Sequence, residues 1–328
     1  MKNELGIDKK SFDGNVCFND DVHKYWVKGT DQFCISVTTI IHKFTQDFDA
    51  EFWSRYKALQ KLVGQDEFDG LITKKKTAKT AEKREPASQA KIELLETKKY
   101  DHKWTKFYNI EEEVLEKEAE LIRKSYDDER EKSCFRGTSI HKDFEDLLTS
   151  KPKTDMSILG LGGKIPGEFN FSLDNKELKP GNIYPEILLY RISDDGKLRV
   201  AGQVDLLIID HDGGVYIVDH KSNKKIETKS YFNQKTKKSI KMKYPLNNLD
   251  DVNFNHYQLQ LSLYYWIVNK ANPSFYLKGL YLNHVDHDEN VTLYECQYLK
   301  EDVERMLVFY KRELEYQEFA KKQEKIVW

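Results

Sequence analysis

The sequence predicts an α/β fold: a central mixed β-sheet flanked by helices, with an N-terminal strand-and-helix elaboration. Three observations carry the prediction. Strand-like and helix-like stretches alternate through the second half without an evident repeat or linker. Two apolar runs, Val204 to Ile209 and Val215 to Val218, flank the turn His-Asp-Gly-Gly and read as a hairpin. Amphipathic helical patterns at 255–271 and 300–325 supply layers to cover a sheet. The 328 residues are enough for one large domain or two smaller ones. The expected division is an elaboration over 1–132 and a core over 133–328, packed as one compact unit.

Taken in order, residues 15–42 are rich in Val, Ile, Phe, Tyr and Thr. They read as strands broken at Asn-Asp-Asp and Lys-Gly-Thr-Asp. "DFDAEFWSRYKALQKLVG" (47–64) reads as a helix, capped by Asp47 or Asp49 and ended by Gly64, with Phe52, Tyr56, Leu59 and Val63 on one stripe. Residues 70–109 are dominated by Lys and Ala and interrupted by Pro86, which predicts a mobile surface insertion with some helix. Residues 110–135 give a helix with acids in its first turn and an apolar side of Ile110, Val114, Leu121, Ile122 and Tyr126. A separate helix is expected over 136–150, entered through Gly137-Thr138. Residues 151–183 are loop-rich, and their glycines lack the order of a nucleotide-binding loop. Strands are expected at 184–192, 198–210 and 214–222, then a helix at 255–271, strands at 275–285 and 290–299, and a closing helix.

Composition sets limits. Apolar residues make up 39% and charged residues 33%, and no stretch approaches the ~20 apolar residues of a membrane span. The N-terminal residues carry no apolar core after their lysines, which argues against a secretory signal. Cys17, Cys34, Cys134 and Cys296 are scattered without a C-x-x-C pair, which fits reduced thiols and a cytoplasmic compartment. Net charge is −2, so bulk charge does not mark a nucleic-acid binder. Local charge differs: Lys221 to Lys243 holds nine lysines and one acid, Glu227. That run is either a solvated loop or a phosphate-tracking patch.

The hairpin raises a chemical question. Asp205 begins its first strand and Asp219 ends its second, so both fall at the edge away from the turn. Paired carboxylates repel unless a cation lies between them, and hard divalent ions such as Mg²⁺ take carboxylate oxygens. Strand alternation puts Asp219 and Lys221 on one side and His220 on the other. A lysine beside such an ion can help deprotonate the attacking water of a phosphodiesterase or steady the charge on phosphorus. The alternative is that both acids are exposed strand ends, with Lys221 paired to one of them. His141 and Glu145 share a helix face one turn apart, as do Gln260 and Tyr264. Read singly, these are equally ordinary core or surface residues.

The ordered set Gly137-Thr138-x-x-His141-x-x-x-Glu145, Gly202-x-x-Asp205, Asp219-x-Lys221 and Gln260-x-x-x-Tyr264 resembles the PD-(D/E)xK nuclease superfamily. Within it the set is similar to the RecB-like branch, which includes phage and mitochondrial genome maintenance exonucleases, and "HKYWVKGTDQFCISVTTII" resembles the opening of such members. The resemblance implies a restriction-endonuclease-like core. It implies a divalent metal, Mg²⁺ or Mn²⁺, held by His141, Asp205, Asp219 and the His220 carbonyl. Lys221 would orient or activate water, Gln260 and Tyr264 would position the phosphate or the lysine, and Glu186 would hold a second metal or its water. Glu145 would support the helix or His141. Relatives with an iron–sulfur cluster use three late cysteines, and only Cys296 lies late here, so no cluster is expected. Asp219 stands where many members have Glu, which is within the pattern.

The expected partner is DNA, single-stranded or with free ends, and no membrane. Lys224, Lys225, Lys229 and Tyr264 are candidate nucleic-acid contacts, and Tyr231, Phe232, Tyr244 and Tyr257 are candidate stacking platforms. The expected activity is that of a metal-dependent DNA exonuclease. An endonuclease on branched DNA, or a non-catalytic nucleic-acid-binding protein on the same fold, is the alternative. No protein partner is legible.

Overall fold

The computed structural model describes residues 9–11, 13–64, 110–171, 177–233 and 238–324. The Lys/Ala-rich insertion expected at 70–109 lies outside them. The chain divides into two compact units, Asp47–Phe135 and the combination of Met1–Gln46 with Arg136–Trp328.

Among the described residues, the larger unit is built on one sheet of eleven strands. Strands β1 (Lys9–Lys10), β2 (Val16–Asn19), β3 (Lys24–Val27) and β4 (Phe33–Ser36) form an antiparallel run at one side. β5 (Lys153–Asp155) and β6 (Glu168–Phe171) close the other side against β7 (Asn182–Ile192). β8 (Arg199–Ile209) pairs along its whole length with β7. Its other edge is shared. β4 takes Val200 and Ala201, while β9 (Gly214–Lys221) takes Leu206 to Ile209. β12 (Tyr276–Val285) runs parallel to β9 and antiparallel to β13 (Val291–Cys296). A two-residue-strand hairpin, β10 (Phe232–Asn233) with β11 (Lys238–Ser239), lies in the lysine-rich segment. The result is a curled mixed sheet flanked by helices, consistent with a restriction-endonuclease-like core.

Alternation along the central strands sorts two cores onto the two faces. Leu207, Ile209, Val215, Ile217, Leu280 and Leu282 pack with α4 (Asn253–Ala271) and α5 (Lys300–Glu324). Leu206, Ile208, Tyr216, Val218 and Tyr281 pack with Leu148 and Phe169 on the other face. Each fully buried aliphatic side chain of this kind contributes roughly 1.5–3 kcal/mol. The same alternation assigns Asp205, Asp219 and Lys221 to the first face and His220 to the second.

Several local expectations change. Val37–His42 forms a short helix, α1, where β-branched residues predict strand. Ser36 overrides them by accepting the Thr39 backbone N–H at 2.9 Å as an N-cap. The two helices expected over 110–150 are one, α3 (Glu112–Thr149). Gly137 sits inside it, because an interior glycine costs only about 1 kcal/mol and its missing side chain makes room for a neighbour. A Cβ at Gly137 would lie 3.3 Å from Ser222 Oγ. Asp205 does not begin its strand, as β8 starts at Arg199 and is paired on both edges at Val200 and Ala201.

In the smaller unit, Asp49 rather than Asp47 caps α2 (Ala50–Val63), accepting the Phe52 N–H at 2.8 Å. Ala58, Leu59, Leu115 and Ala119 form the buried seam between α2 and α3, flanked by Tyr56, Val63, Ile110 and Ile122. Val114 and Leu121, expected on the apolar side, are exposed, since the buried stripe runs through Leu115 and Ala119 instead. No described helix is long and apolar enough to cross a membrane.

Candidate metal centre

The site grows from the fork in the sheet. Between Ala201 and Leu206 one edge of β8 has neither β4 nor β9 as a ladder partner, so Gly202 to Asp205 face a gap. Asp205 and Asp219 lie one step beyond the Leu206–Val218 pair, where β9 leaves β8. Both are buried, at 9% and 1% exposure, which removes the exposed-strand-end alternative. Asp205 Oδ2 accepts the His220 backbone N–H at 2.7 Å. Asp219 Oδ1 accepts from Gln260 Nε2 at 3.0 Å, and Lys221 Nζ stands 2.6 Å from Oδ2. Gln260 Nε2 is 3.3 Å from the Tyr264 hydroxyl, so these two residues of α4 act as one bracket behind Asp219.

Tyr264 fills the fork. A Cβ at Gly202 would fall 2.8 Å from Tyr264 Cε1 and 3.0 Å from Val37 Cγ2, so glycine here leaves the room that the ring occupies against β8. On the opposite edge, Glu186 stands across from Asp205, between the pairs Pro185–Leu206 and Ile187–Val204. Gln203 Nε2 donates to Glu186 Oε2.

His141 reaches this group from α3. Its Nδ1 lies 3.6 Å from both Glu186 Oε1 and Asp205 Oδ1, and its Nε2 lies 3.1 Å from the His220 carbonyl. One ligand atom from each of His141, Glu186 and Asp205 lies within 4.8 Å of the others. Asp219 is not one of that group, and Glu186, expected at a second metal or its water, is. The His220 side chain points away and stacks on Phe144 at 4.1 Å. The backbone around Lys221 is held from α3, by His141 at the carbonyl of His220 and by Arg136 Nη1, which donates to the carbonyl of Ser222 at 2.7 Å. Arg136 Nη2 also donates to the Asp286 carbonyl.

Electrostatics follow from three acids in little solvent. Burial, then the Asp219 carboxylate, push Asp205 up to about 7. Burial opposes charge on His141, but Glu186, Asp205 and Asp219 together raise it to about 9. Burial likewise opposes charge on Lys221, and Asp219 and Asp205 outweigh it, so the group titrates above its ordinary value. Burial, His141 and Lys221 depress His220 to about 3, leaving a neutral ring. Burial, then Asp219, raise the Tyr264 hydroxyl far above its usual range. A proton on His141 and the Lys221 ammonium therefore offset the carboxylates. A divalent cation could take the same place: two carboxylate oxygens and an imidazole nitrogen, one each from Glu186, Asp205 and His141, lie within 4.8 Å of one another.

These groups line a cleft of about 680 Å³ whose other wall comes from the N-terminal strands, through Tyr25 and Ser36, and from α1, through Thr38. Lys224, Lys225 and Lys229 are exposed in the chain that follows β9. Lys225 pairs with Glu227 at 2.9 Å. Tyr231 and Tyr244 are 71% and 69% exposed, whereas Tyr257 is half-buried over Lys221. Sequence reasoning missed Arg136 and Gln203. Each adjoins a motif residue, but neither has a spacing that would single it out.

Neither a protein-family model nor a curated protein matches the chain. Among solved structures, the chain is similar to a "Putative exonuclease" from Eubacterium rectale at 18% identity and a TM-score of 0.29, over 39% of this chain and 43% of that one. It is also similar to the protein SSO0001 at 17% identity and a TM-score of 0.25, over 56% of this chain and 72% of that one. The chain thus spans less than half the length of the first neighbour. At these TM-scores neither bears on the chemistry.

Proposed function

We propose that this chain is a divalent-metal-dependent nuclease of the PD-(D/E)xK type and RecB-like branch, hydrolysing DNA phosphodiester bonds as an exonuclease on single strands or free ends. One observation carries the reading: the Lys221 ammonium lies 2.6 Å from Asp219 beside the converging donors His141, Glu186 and Asp205. Those three residues would hold the ion, with Asp219 and the His220 carbonyl as the remaining candidates. Mg²⁺ and Mn²⁺ are the candidate ions, and the imidazole favours Mn²⁺. When bound, such an ion supplies charge to the phosphate oxygens and lowers the pKa of water.

The protein's own groups do the rest. Lys221 titrates above its ordinary value, so it is an ammonium at neutral pH. It donates to the attacking water or to a phosphate oxygen and stabilises the negative charge that develops there. It does not take up the water's proton in that state. Gln260 fixes one oxygen of Asp219 and leaves the other to the ammonium. In the reaction the water oxygen bonds to phosphorus as the P–O bond to the leaving oxygen breaks, and the proton the water gives up to solvent is balanced by the one the leaving oxygen takes up.

The substrate class rests on charge and depth. Exposed Lys224, Lys225 and Lys229 follow the site along the chain and suit salt-sensitive phosphate contacts. Asp205 and Asp219 are buried, which favours a flexible strand or frayed end over an intact duplex. The test is cleavage of end-labelled linear and circular single-stranded DNA with Mg²⁺ or Mn²⁺. The expected result is loss of linear substrate only, abolished by Lys221→Ala and Asp205→Ala with the fold retained. Cleavage of the circle would make the protein an endonuclease. Activity undiminished in both variants would end the proposal.

A further inference from the structure

One face of α4 carries three residues at i, i+3 and i+7: Tyr257, Gln260 and Tyr264. Gln260 bonds Asp219, and Tyr264 packs on Gly202. Tyr257 is the first of the series, and its ring lies 4.8 Å from Lys221 Nζ. We infer that Tyr257 is a positioning residue that aims the Lys221 ammonium, an inference that rests on the nuclease reading of the same site.

An ammonium has three N–H donors and a freely rotating, four-carbon stem. Without restraint it would sample many directions. Here the Lys221 side chain is only 18% exposed, and Asp219 Oδ2 takes one donor at 2.6 Å. The electron-rich face of Tyr257 attracts the same cation from another side. With a carboxylate and a ring placed around it, the remaining donor capacity is left for the cleft, which Lys221 lines. A cation sharing Asp219 would weaken the Asp219–Lys221 pair, and the ring would then be the restraint that stays.

The ring rather than the hydroxyl carries this role. The Tyr257 hydroxyl is 3.5 Å from Asn223 Oδ1, a marginal hydrogen bond. Asn223 has a stronger anchor of its own, its carbonyl lying 2.6 Å from His284 Nε2. The opposing possibility is that Tyr257 stacks an unpaired base, as an aromatic beside a nucleic-acid cleft can. Its half-buried position over the ammonium favours the positioning role.

The test compares Tyr257→Phe with Tyr257→Leu in the full chain. Kinetics on linear single-stranded DNA with Mn²⁺ should show Tyr257→Leu losing about tenfold in kcat with KM unchanged, while Tyr257→Phe restores activity. NMR of lysine labelled at Cε, with the Lys221 signal assigned by its loss in Lys221→Arg, reads the geometry without cleavage. A ring-current upfield shift should be present in the natural protein and in Tyr257→Phe, and absent in Tyr257→Leu. Unchanged thermal unfolding confirms that both variants fold. A rise in KM alone would assign Tyr257 to base stacking and overturn the inference. So would equal loss of activity in Phe and Leu variants, or no upfield shift in the natural protein. A protein that shows the shift pattern but cleaves no DNA would overturn the nuclease reading and leave the ring–ammonium placement standing.

Discussion

Glu186 faces Asp205 across the β7–β8 ladder and holds a left-handed backbone, φ 51°, to do so. A non-glycine residue there costs on the order of 1–3 kcal/mol, and the position also adds an acid to a site with two others. Strain and repulsion are both retained at the point where His141 and Asp205 meet. Glu186→Gly should relieve both. The expected outcome is a metal-free protein at least as stable as the natural one, by up to about 1 kcal/mol, with nuclease activity lost. Urea denaturation beside the cleavage assay checks it, and a large loss of stability would contradict it.

Protonation and cation binding should compete at this site. Asp205 is raised in the folded protein from 3.8 to about 7, so the folded state binds the extra proton in that window. Its contribution to stability therefore falls as pH rises from about 4 to about 7. His141 is raised from 6.5 to about 9, so its contribution is full below 6.5 and lost as pH climbs through 9. A cation needs the carboxylate ionised and the imidazole neutral, so its stabilisation must grow with pH. The Mn²⁺-induced rise in unfolding temperature should be small near about pH 5.5 and larger near about pH 8. A shift independent of pH would argue that the ion binds elsewhere.

Gly202→Ala should be costly out of proportion to one methyl group. Its Cβ would meet Tyr264 Cε1 at 2.8 Å and the hydroxyl at 3.1 Å, and the ring is fully enclosed. Overpacking of this kind costs about 1–3 kcal/mol and would push Tyr264 off Gln260. Thermal unfolding and activity should fall together, and an unaffected protein would show that the ring can move aside.

Arg136 ties the Ser222 and Asp286 carbonyls, one just past the end of β9 and the other just past β12. Hydrogen bonds from a charged donor contribute about 1.5–3 kcal/mol each, so Arg136→Ala should destabilise by at least that much. Arg136→Lys should not rescue, because a single ammonium lacks the planar fork that spans two carbonyls. Denaturation of both variants separates this role from a loss of net charge, which only the alanine change causes.

The acids, the lysine and the α4 bracket were legible because each lies in a short local pattern. Val215 to Val218 delivers Asp219 by alternation, and i, i+4 spacing places Gln260 with Tyr264. The length of α3 was not legible, since Gly137 reads as a break until its approach to Ser222 is seen. Glu186 illustrates the same limit. Its backbone conformation and its place opposite Asp205 depend on the β7–β8 register, which no local spacing encodes. The short helix α1 was obscured by β-branched residues whose preference one serine cap overcomes.

Hydrophobic periodicity and turn residues were enough for an α/β fold and the β8–β9 hairpin, because those follow from interactions within a few residues, whereas the roster of site side chains came from the ordered motifs and the family they resemble. Which of them meet at one point depended on contacts between residues far apart in sequence. The fork in β8 opens because β4 and β9 claim different halves of one edge, and His141 meets Glu186 and Asp205 there because α3 runs unbroken past Gly137.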